Sequence, residues 1–184
     1  KIYQEKLKLI EQYELAIFRC HDYIHRYKPD GITKGLVKAL NWGSYVREHL
    51  PIASIVEIPG KSLREIAVYV KKELKIDFLR YMGDLDMICS KVGIFVGYRG
   101  VGDNVIPLSE RYNLELIICG EGPEWETPEF IRDSIQLGGN KALLILGHLE
   151  SEQPGMQFFA QRLQDSFKEI PVYFIPENGC FQII

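Results

Sequence analysis

The sequence has few of the residues that mark several large classes of protein. Its 184 residues include only four cysteines, which form no C-x-x-C pair, and the formal net charge is −3. A disulfide framework or a zinc knot is therefore not expected, and no basic excess is present to attract nucleic acid or an anionic membrane. No apolar run approaches the roughly 20 residues of a membrane span, and no signal peptide is recognisable. We expect a cytoplasmic protein that binds neither nucleic acid nor membrane.

The remaining composition is that of a folded globular chain. Hydrophobic residues make up 46% and charged residues 26% of the sequence, enough for one large or two small domains with an adequate core. We expect residues 1–184 to form a single region, with a sub-boundary near residues 51–60 as the alternative. The chain opens with Lys1 instead of Met and enters a helical pattern at once, so we expect that an N-terminal part is lacking.

The hydrophobic pattern alternates between the periods of strands and helices, which favours an α/β fold with mixed, partly parallel sheets flanked by helices. Ser62 and Glu65 form a capping box that predicts a helix start. Strands are predicted at residues 15–18, 53–58, 78–81, 92–96, 114–119, 142–146 and 172–175, and helices at residues 2–13, 36–40, 62–74, 127–137 and 156–167.

The most informative segment follows the strand predicted at residues 142–146. It reads Gly147-His148-Leu149-Glu150-Ser151-Glu152. Open α/β sheets bind ligands at the carboxyl ends of their strands, and the imidazole of His148 and the carboxylate of Glu152 could share one divalent cation. The alternative is a surface turn with an incidental histidine.

A second group of ligand-type residues follows the strand predicted at residues 15–18. His21, Asp22 and His25 offer nitrogen and oxygen donors that suit Zn, Mn or Fe(II). Three of the four histidines thus follow predicted strand ends, which argues against chance. His49 is interpreted as an ordinary solvated histidine.

Two further residues are candidate substrate contacts. Arg99 lies in a glycine-rich loop, residues 97–102, that fits neither G-x-G-x-x-G nor the P-loop. The glycines of this loop are interpreted as turn residues. Arg99 could still contact an anionic substrate. Glu121 follows a strand end predicted to face the same rim as His148. No G-x-S-x-G motif is present, and Cys20 is interpreted as a structural residue that closes a strand.

Three stretches together resemble a known family: residues 19–22, residues 147–156 and residues 170–176. They are similar to the GTP cyclohydrolase I type 2 homologues, also called NIF-three-like dinuclear-metal proteins. The resemblance implies a toroidal hexamer with two divalent metals per subunit in a cavity. It implies that His148 and Glu152 are ligands and that His21 is the first residue of a H-x-x-x-D segment. The ligand Asp of that segment falls on His25, and the family's adjacent histidine pair is absent.

The resulting hypothesis is a protein that binds one or two divalent ions (Zn, Mn or Fe) per subunit through His25, His148 and Glu152. It would be a metal-dependent hydrolase of a small-molecule substrate and a homo-oligomer. His21 or Asp22 would orient a ligand or move a proton in catalysis. The alternative is a non-catalytic metal-binding scaffold or adaptor, whose contact surfaces would be Trp42, Trp125 and the apolar tail at residues 180–184.

Overall fold

A six-stranded mixed sheet with helices on both faces forms the centre of the computed structural model, which describes residues 1–181. The helices of this part of the chain are α1 (Ile2–Gln12), α2 (His21–His25), α3 (Gly31–Ala39), α4 (Leu63–Leu74), α5 (Gly102–Arg111), α6 (Thr127–Gln136) and α7 (His148–Ser166). The strands are β1 (Val46–His49), β2 (Ser54–Ser62), β3 (Arg80–Met82), β4 (Ile88–Phe95), β5 (Leu116–Cys119) and β6 (Ala142–Ile145).

The strand order across the sheet is β1-β2-β4-β5-β6-β3. The three adjacent strands β4, β5 and β6 are parallel, with Ile94, Ile118 and Leu144 in register, and the outer strands pair antiparallel. Helix α5 connects β4 to β5 and helix α6 connects β5 to β6, as parallel pairing requires a crossover. The predicted α/β class with a partly parallel sheet is confirmed.

Both faces of the sheet are apolar because helices cover both of them. Ile94, Ile118 and Leu144 face the side that packs against α3 and α4, and Phe159 of α7 joins this cluster. The alternate residues Phe95 and Ile117 face the opposite side, against α5 and α6. The short β5 and β6 are completely buried, which explains why their sequences read as continuous apolar runs.

Local capping explains where two of the helices begin. The carboxylate of Asp30 accepts a hydrogen bond from the Thr33 amide at the start of α3, and the predicted capping box of Ser62 and Glu65 is present at the start of α4. Such caps satisfy amide groups that have no partner within the helix.

Two predicted strands are wrong. Residues 15–18 form no strand and expose Leu15, Ile17 and Phe18 by 54–82%, because no neighbouring strand is there to bury them. Residues 172–175 also form no strand; Tyr173 and Ile175 are each 80% exposed. Short apolar runs carry no information about a pairing partner, so periodicity alone misassigned them.

The scaffold alternative predicted that Trp42, Trp125 and the apolar tail lie on the surface. Trp42 is buried in the core and stacks on Tyr69, so it is not a surface residue. Trp125 is exposed. Of the apolar tail, residues 182–184 lie outside the described residues.

No helix between residues 1 and 181 combines the length and the apolar character needed to cross a bilayer. Cys20, Cys89, Cys119 and Cys180 are free thiols, and burial raises the pKa of Cys89 and of Cys119 to about 12. These two thiols are therefore structural and unreactive at neutral pH.

Candidate metal centre

The candidate site lies where the three parallel strands end. After β4 the chain turns through Gly97, after β5 it continues into Glu121, and after β6 it starts helix α7 at His148. Because the carboxyl ends of parallel strands meet at one edge of a sheet, these segments are brought together. The amide of Glu121 donates to the Gly97 carbonyl at 2.9 Å, and the amide of Gly147 donates to the Gly120 carbonyl at 2.9 Å.

Two imidazoles approach one carboxylate oxygen at this edge. Oε1 of Glu152 lies 3.5 Å from Nε2 of His148 and 3.7 Å from Nε2 of His25. His21, His25 and Glu152 also form a group whose ligand atoms lie within 4.8 Å of one another. The separations of 3.5 and 3.7 Å are close to those of donors around one ion, since bonds of about 2.0–2.2 Å hold neighbouring ligands a little over 3 Å apart. These residues could hold a metal.

In His21, His25 and His148, the Nδ1 atom of the ring lies within hydrogen-bonding distance of a carboxylate. Nδ1 of His148 lies 2.7 Å from Glu121 Oε1, Nδ1 of His25 lies 2.9 Å from Asp30 Oδ2, and Nδ1 of His21 lies 2.8 Å from Asp22 Oδ1. A carboxylate behind a histidine is the usual support of a metal-binding imidazole, because it orients the ring and raises its basicity. The Nε2 atoms of the three histidines are therefore free to bind a metal ion.

Asp30 is the buried centre of this supporting layer. Its side chain is only 2% exposed and also contacts Arg99, whose Nη2 lies 2.8 Å from Oδ2. Burial acts to raise the pKa of Asp30, but hydrogen bonds from His25 and the Thr33 amide, together with the Arg99 guanidinium, lower it overall. The hydrogen bond from His21 likewise lowers the pKa of the exposed Asp22.

Gly97 and Ser151 set the position of Glu152. Gly97 has a φ of +57°, and a Cβ at this residue would overlap Oε1 of Glu152. The buried Ser151 hydroxyl accepts a hydrogen bond from the Gly97 amide at 2.8 Å and donates to the His148 carbonyl at 2.8 Å. The first turn of α7 is therefore tied to the turn after β4, and only glycine leaves room for the carboxylate between them.

A cavity of about 470 Å³ opens in front of these residues. Arg26, Tyr98 and Asn104 line it beside the histidines; the sequence patterns singled out none of the three. Arg26 makes no ion pair with any of residues 1–181, whereas Arg99, predicted to contact substrate, is paired with Asp30 and hydrogen-bonded to Thr33 at 3.3 Å. The charge of Arg99 is thus already balanced inside the protein.

The structure brings every predicted site residue to one edge of the sheet: His21, Asp22, His25, Arg99, Glu121, His148 and Glu152. His21 and His25 reach it on helix α2, not at a strand end. The sequence prediction did not include Asp30 among the site residues. An Asp directly before an apolar helical run is an N-cap signal that could have drawn attention to this residue.

The fold and the site together define an α/β protein with a histidine–carboxylate cluster at the carboxyl ends of parallel strands. A model of the Duf34/NIF3 (NGG1p interacting factor 3) family matches residues 1–179. The chain belongs to the Duf34/NIF3 family, and the resemblance inferred from its motifs is confirmed.

Known relatives agree with this assignment. The chain is 27% identical over 136 residues to the GTP cyclohydrolase 1 type 2 homolog of Clostridium perfringens, covering 73% of this chain and 47% of that protein. It is 22% identical over 175 residues to the protein of the same name from Clostridium acetobutylicum, covering 90% and 61%. The chain therefore spans about half to three fifths of these relatives.

A solved structure supports the fold alone. The structure of reduced HcgD from Methanocaldococcus jannaschii matches 90% of this chain and 63% of its own, with a TM-score of 0.64 and 14% identity. At such low identity the similarity concerns the arrangement of helices and strands and not the chemistry of the site.

Proposed function

We propose that this protein binds a divalent metal at the edge of its sheet and uses it to hydrolyse a small molecule. The observation that carries the proposal is the approach of His25 and His148 to one oxygen of Glu152, each imidazole supported by a carboxylate on its Nδ1. Supporting carboxylates are typical of metal-binding histidines. The cavity in front of Glu152 has room for a substrate.

The donor set favours some metals over others. His25, His148 and Glu152 are the proposed ligands, and His21 is close enough to His25 and Glu152 to share an ion with those two residues. Imidazole with a single carboxylate suits Zn, Fe(II) or Mn better than Mg or Ca, which prefer oxygen. With Glu152 as the one central carboxylate, the proposal allows one or two ions per subunit.

Several residues around the cavity would have distinct roles in catalysis. A bound divalent metal supplies a Lewis acid that polarises the bond under attack. His21 and Asp22 line the cavity as a hydrogen-bonded pair, so they can take up and return a proton there. Glu121 orients His148, and Arg99 contributes through Asp30. Arg26, unpaired among residues 1–181 and lining the cavity, is positioned to meet a negative group of the substrate.

Metal analysis of the purified chain tests this function. We expect at least one equivalent of Zn, Mn or Fe by elemental analysis, and its loss in His148→Ala. His49→Ala is the matched control, because His49 lies in β1 and contacts Ser54 instead of the site. GTP is a suitable first substrate, since the two relatives are named GTP cyclohydrolase 1 type 2 homolog. Unchanged metal content in His148→Ala would contradict the proposed site.

A second candidate function is a non-catalytic oligomeric scaffold. It is favoured by helix α1, which buries none of its residues and exposes Ile2, Tyr3 and Leu9 by 51–76%. An amphipathic helix of this length is marginal in water without a partner. We propose a homo-oligomer, a hexamer by the family resemblance, in the cytoplasm.

Sedimentation, combined with metal analysis and an activity assay, separates the two candidates. We expect Leu9→Lys to lower the oligomeric state, with Gln4→Lys on the exposed polar side of α1 as the control. A chain that assembles but binds no metal would favour the scaffold, whereas metal binding with a hydrolytic activity favours the enzyme.

A further inference from the structure

We infer that Asp30 is a positioning residue that holds His25 in the tautomer with hydrogen on Nδ1, so that the lone pair of Nε2 points towards Glu152. The observation that supports this inference is the 2.9 Å separation between Nδ1 of His25 and Oδ2 of Asp30. An ionised carboxylate only accepts hydrogen bonds. An unprotonated Nδ1 at this distance would set one lone pair against another.

The position of Arg99 agrees with this tautomer. Its Nη2 lies 2.8 Å from Asp30 Oδ2 and 3.2 Å from His25 Nδ1. A guanidinium has no acceptor, and the shorter contact is the one to the carboxylate. Arg99 and His25 therefore both donate to Oδ2 of Asp30, and the 3.2 Å separation is the distance between two donors that share one acceptor.

The two carboxylate oxygens of Asp30 accept hydrogen bonds from different parts of the chain. Oδ1 accepts from the Thr33 amide at 2.8 Å and caps helix α3, while Oδ2 holds His25 and Arg99. Because the side chain is 2% exposed, water cannot substitute for a missing contact. The start of α3 and the orientation of the imidazole are thus coupled through one carboxylate.

The substitution Asp30→Asn separates these tasks. Asparagine keeps an oxygen for the Thr33 amide but presents an NH₂ group to His25, which favours hydrogen on Nε2 and removes the lone pair facing Glu152. Asp30→Ser caps the helix about as well as Asp but is too short to hold His25. For the tautomer of His25, Asp22→Asn is the matched control, since it alters the same kind of carboxylate–imidazole contact at the exposed His21.

Imidazole ¹⁵N spectra of the metal-free protein at pH 8 test the inference directly. The chain has only four histidines, and His25→Gln assigns the signal. We expect an unprotonated Nε2 on His25 in the wild type and in Asp22→Asn, and a protonated Nε2 in Asp30→Asn. A wild-type His25 with hydrogen on Nε2, or an unchanged tautomer in Asp30→Asn, would overturn the inference.

Zinc titration provides the second measurement. Unlike the spectra, it rests on the proposed function, because it requires that the protein binds a metal. Loss of a supporting partner typically weakens metal binding by about 10–100-fold, which we expect for Asp30→Asn and Asp30→Ser. The affinity should be unchanged in Asp133→Asn, which alters an exposed aspartate of α6 outside the site. Wild-type affinity in both Asp30 variants would overturn the inference. A wild type that binds no zinc would contradict the proposed function, while the tautomer would still be read from the metal-free spectra.

Discussion

Nε2 of His25 lies 3.7 Å from Oε1 of Glu152, although the two residues belong to α2 near the start of the chain and α7 near its end. Helices α3 and α7 cross closely beside them. Gly35 of α3 and Gly155 of α7 allow this close approach, because neither has a side chain at the crossing. The site is therefore assembled by helix packing as well as by the strand ends, and its geometry should respond to changes outside the cavity.

Replacing Glu152 by Gln should abolish most of the metal binding. Glutamine retains the size of the side chain but has neither the charge nor the second acceptor oxygen that a divalent ion requires. We expect at least a 100-fold loss of zinc affinity by titration. The control is Glu150→Gln on the same helix turn, because Glu150 does not belong to the ligand group. Equal losses in both variants would indicate a general charge effect.

Gly97→Ala should displace Glu152. The substitution places a side chain at a φ of +57°, at a cost of about 1–2 kcal/mol, and its Cβ would overlap Oε1 of Glu152. Gly138→Ala is the matched control, because Gly138 has a φ of +80° and open space around it. Both variants should lose stability in urea denaturation, but only Gly97→Ala should lose zinc affinity.

Ser151→Ala should destabilise the fold without removing any ligand. It leaves the Gly97 amide without its hydrogen-bond acceptor in a buried position, which costs about 1–3 kcal/mol. The midpoint of urea unfolding should fall while the slope with denaturant stays constant. The exposed Ser44 offers the control Ser44→Ala, for which no change is expected; a stable Ser151→Ala protein would show that the tie between α7 and the β4 turn is dispensable.

Gly35→Ala should force helices α3 and α7 apart. A Cβ on Gly35 would overlap the Cα of Gly155, and backbone at such a crossing can yield only by moving a whole helix. Overpacking of this kind costs about 1–3 kcal/mol or more. Since Asp30 caps the start of α3 and α7 carries Glu152, zinc affinity should fall together with the melting temperature. Gly43→Ala, with nothing within 4 Å of its Cβ, should leave both unchanged.

Glu115 should make the stability depend on pH. Its Oε2 accepts hydrogen bonds from the amides of Ser90 and Lys91 at 2.6 and 2.9 Å. Burial acts to raise the pKa of Glu115, but these bonds lower it overall. Because the folded pKa is the lower one, the stabilisation is present above the unfolded value of about 4.3 and is lost as the pH falls through the folded value.

The matching experiment compares Glu115→Gln with the wild type by urea denaturation between pH 7 and pH 3. The difference in unfolding free energy should be largest near pH 7 and should shrink at the acidic end. Glu169→Gln, at an exposed glutamate, should show no such trend. A constant difference over the whole range would contradict the assigned role of Glu115.

Much of the fold could be predicted from local patterns. The capping box at Ser62 and the buried runs that became β5 and β6 were correctly placed, because caps and apolar periodicity act within a few residues. The strands predicted at residues 15–18 and 172–175 failed because an apolar run does not reveal whether another strand lies beside it. Trp42 was wrongly predicted to be a surface residue, because the sequence does not reveal that Tyr69 of α4 packs against it.

The sequence by itself determined which donors exist, His21, His25, His148 and Glu152, and that His148 follows a buried strand, because residue type and local period are properties of the chain. Only the tertiary structure decided that Asp30 supports His25, that Arg99 is neutralised by Asp30, and that Gly97 makes room for Glu152. Those relations join residues far apart along the backbone. They arise from the order of parallel strands and the crossing of α3 with α7, which no short window of sequence can specify.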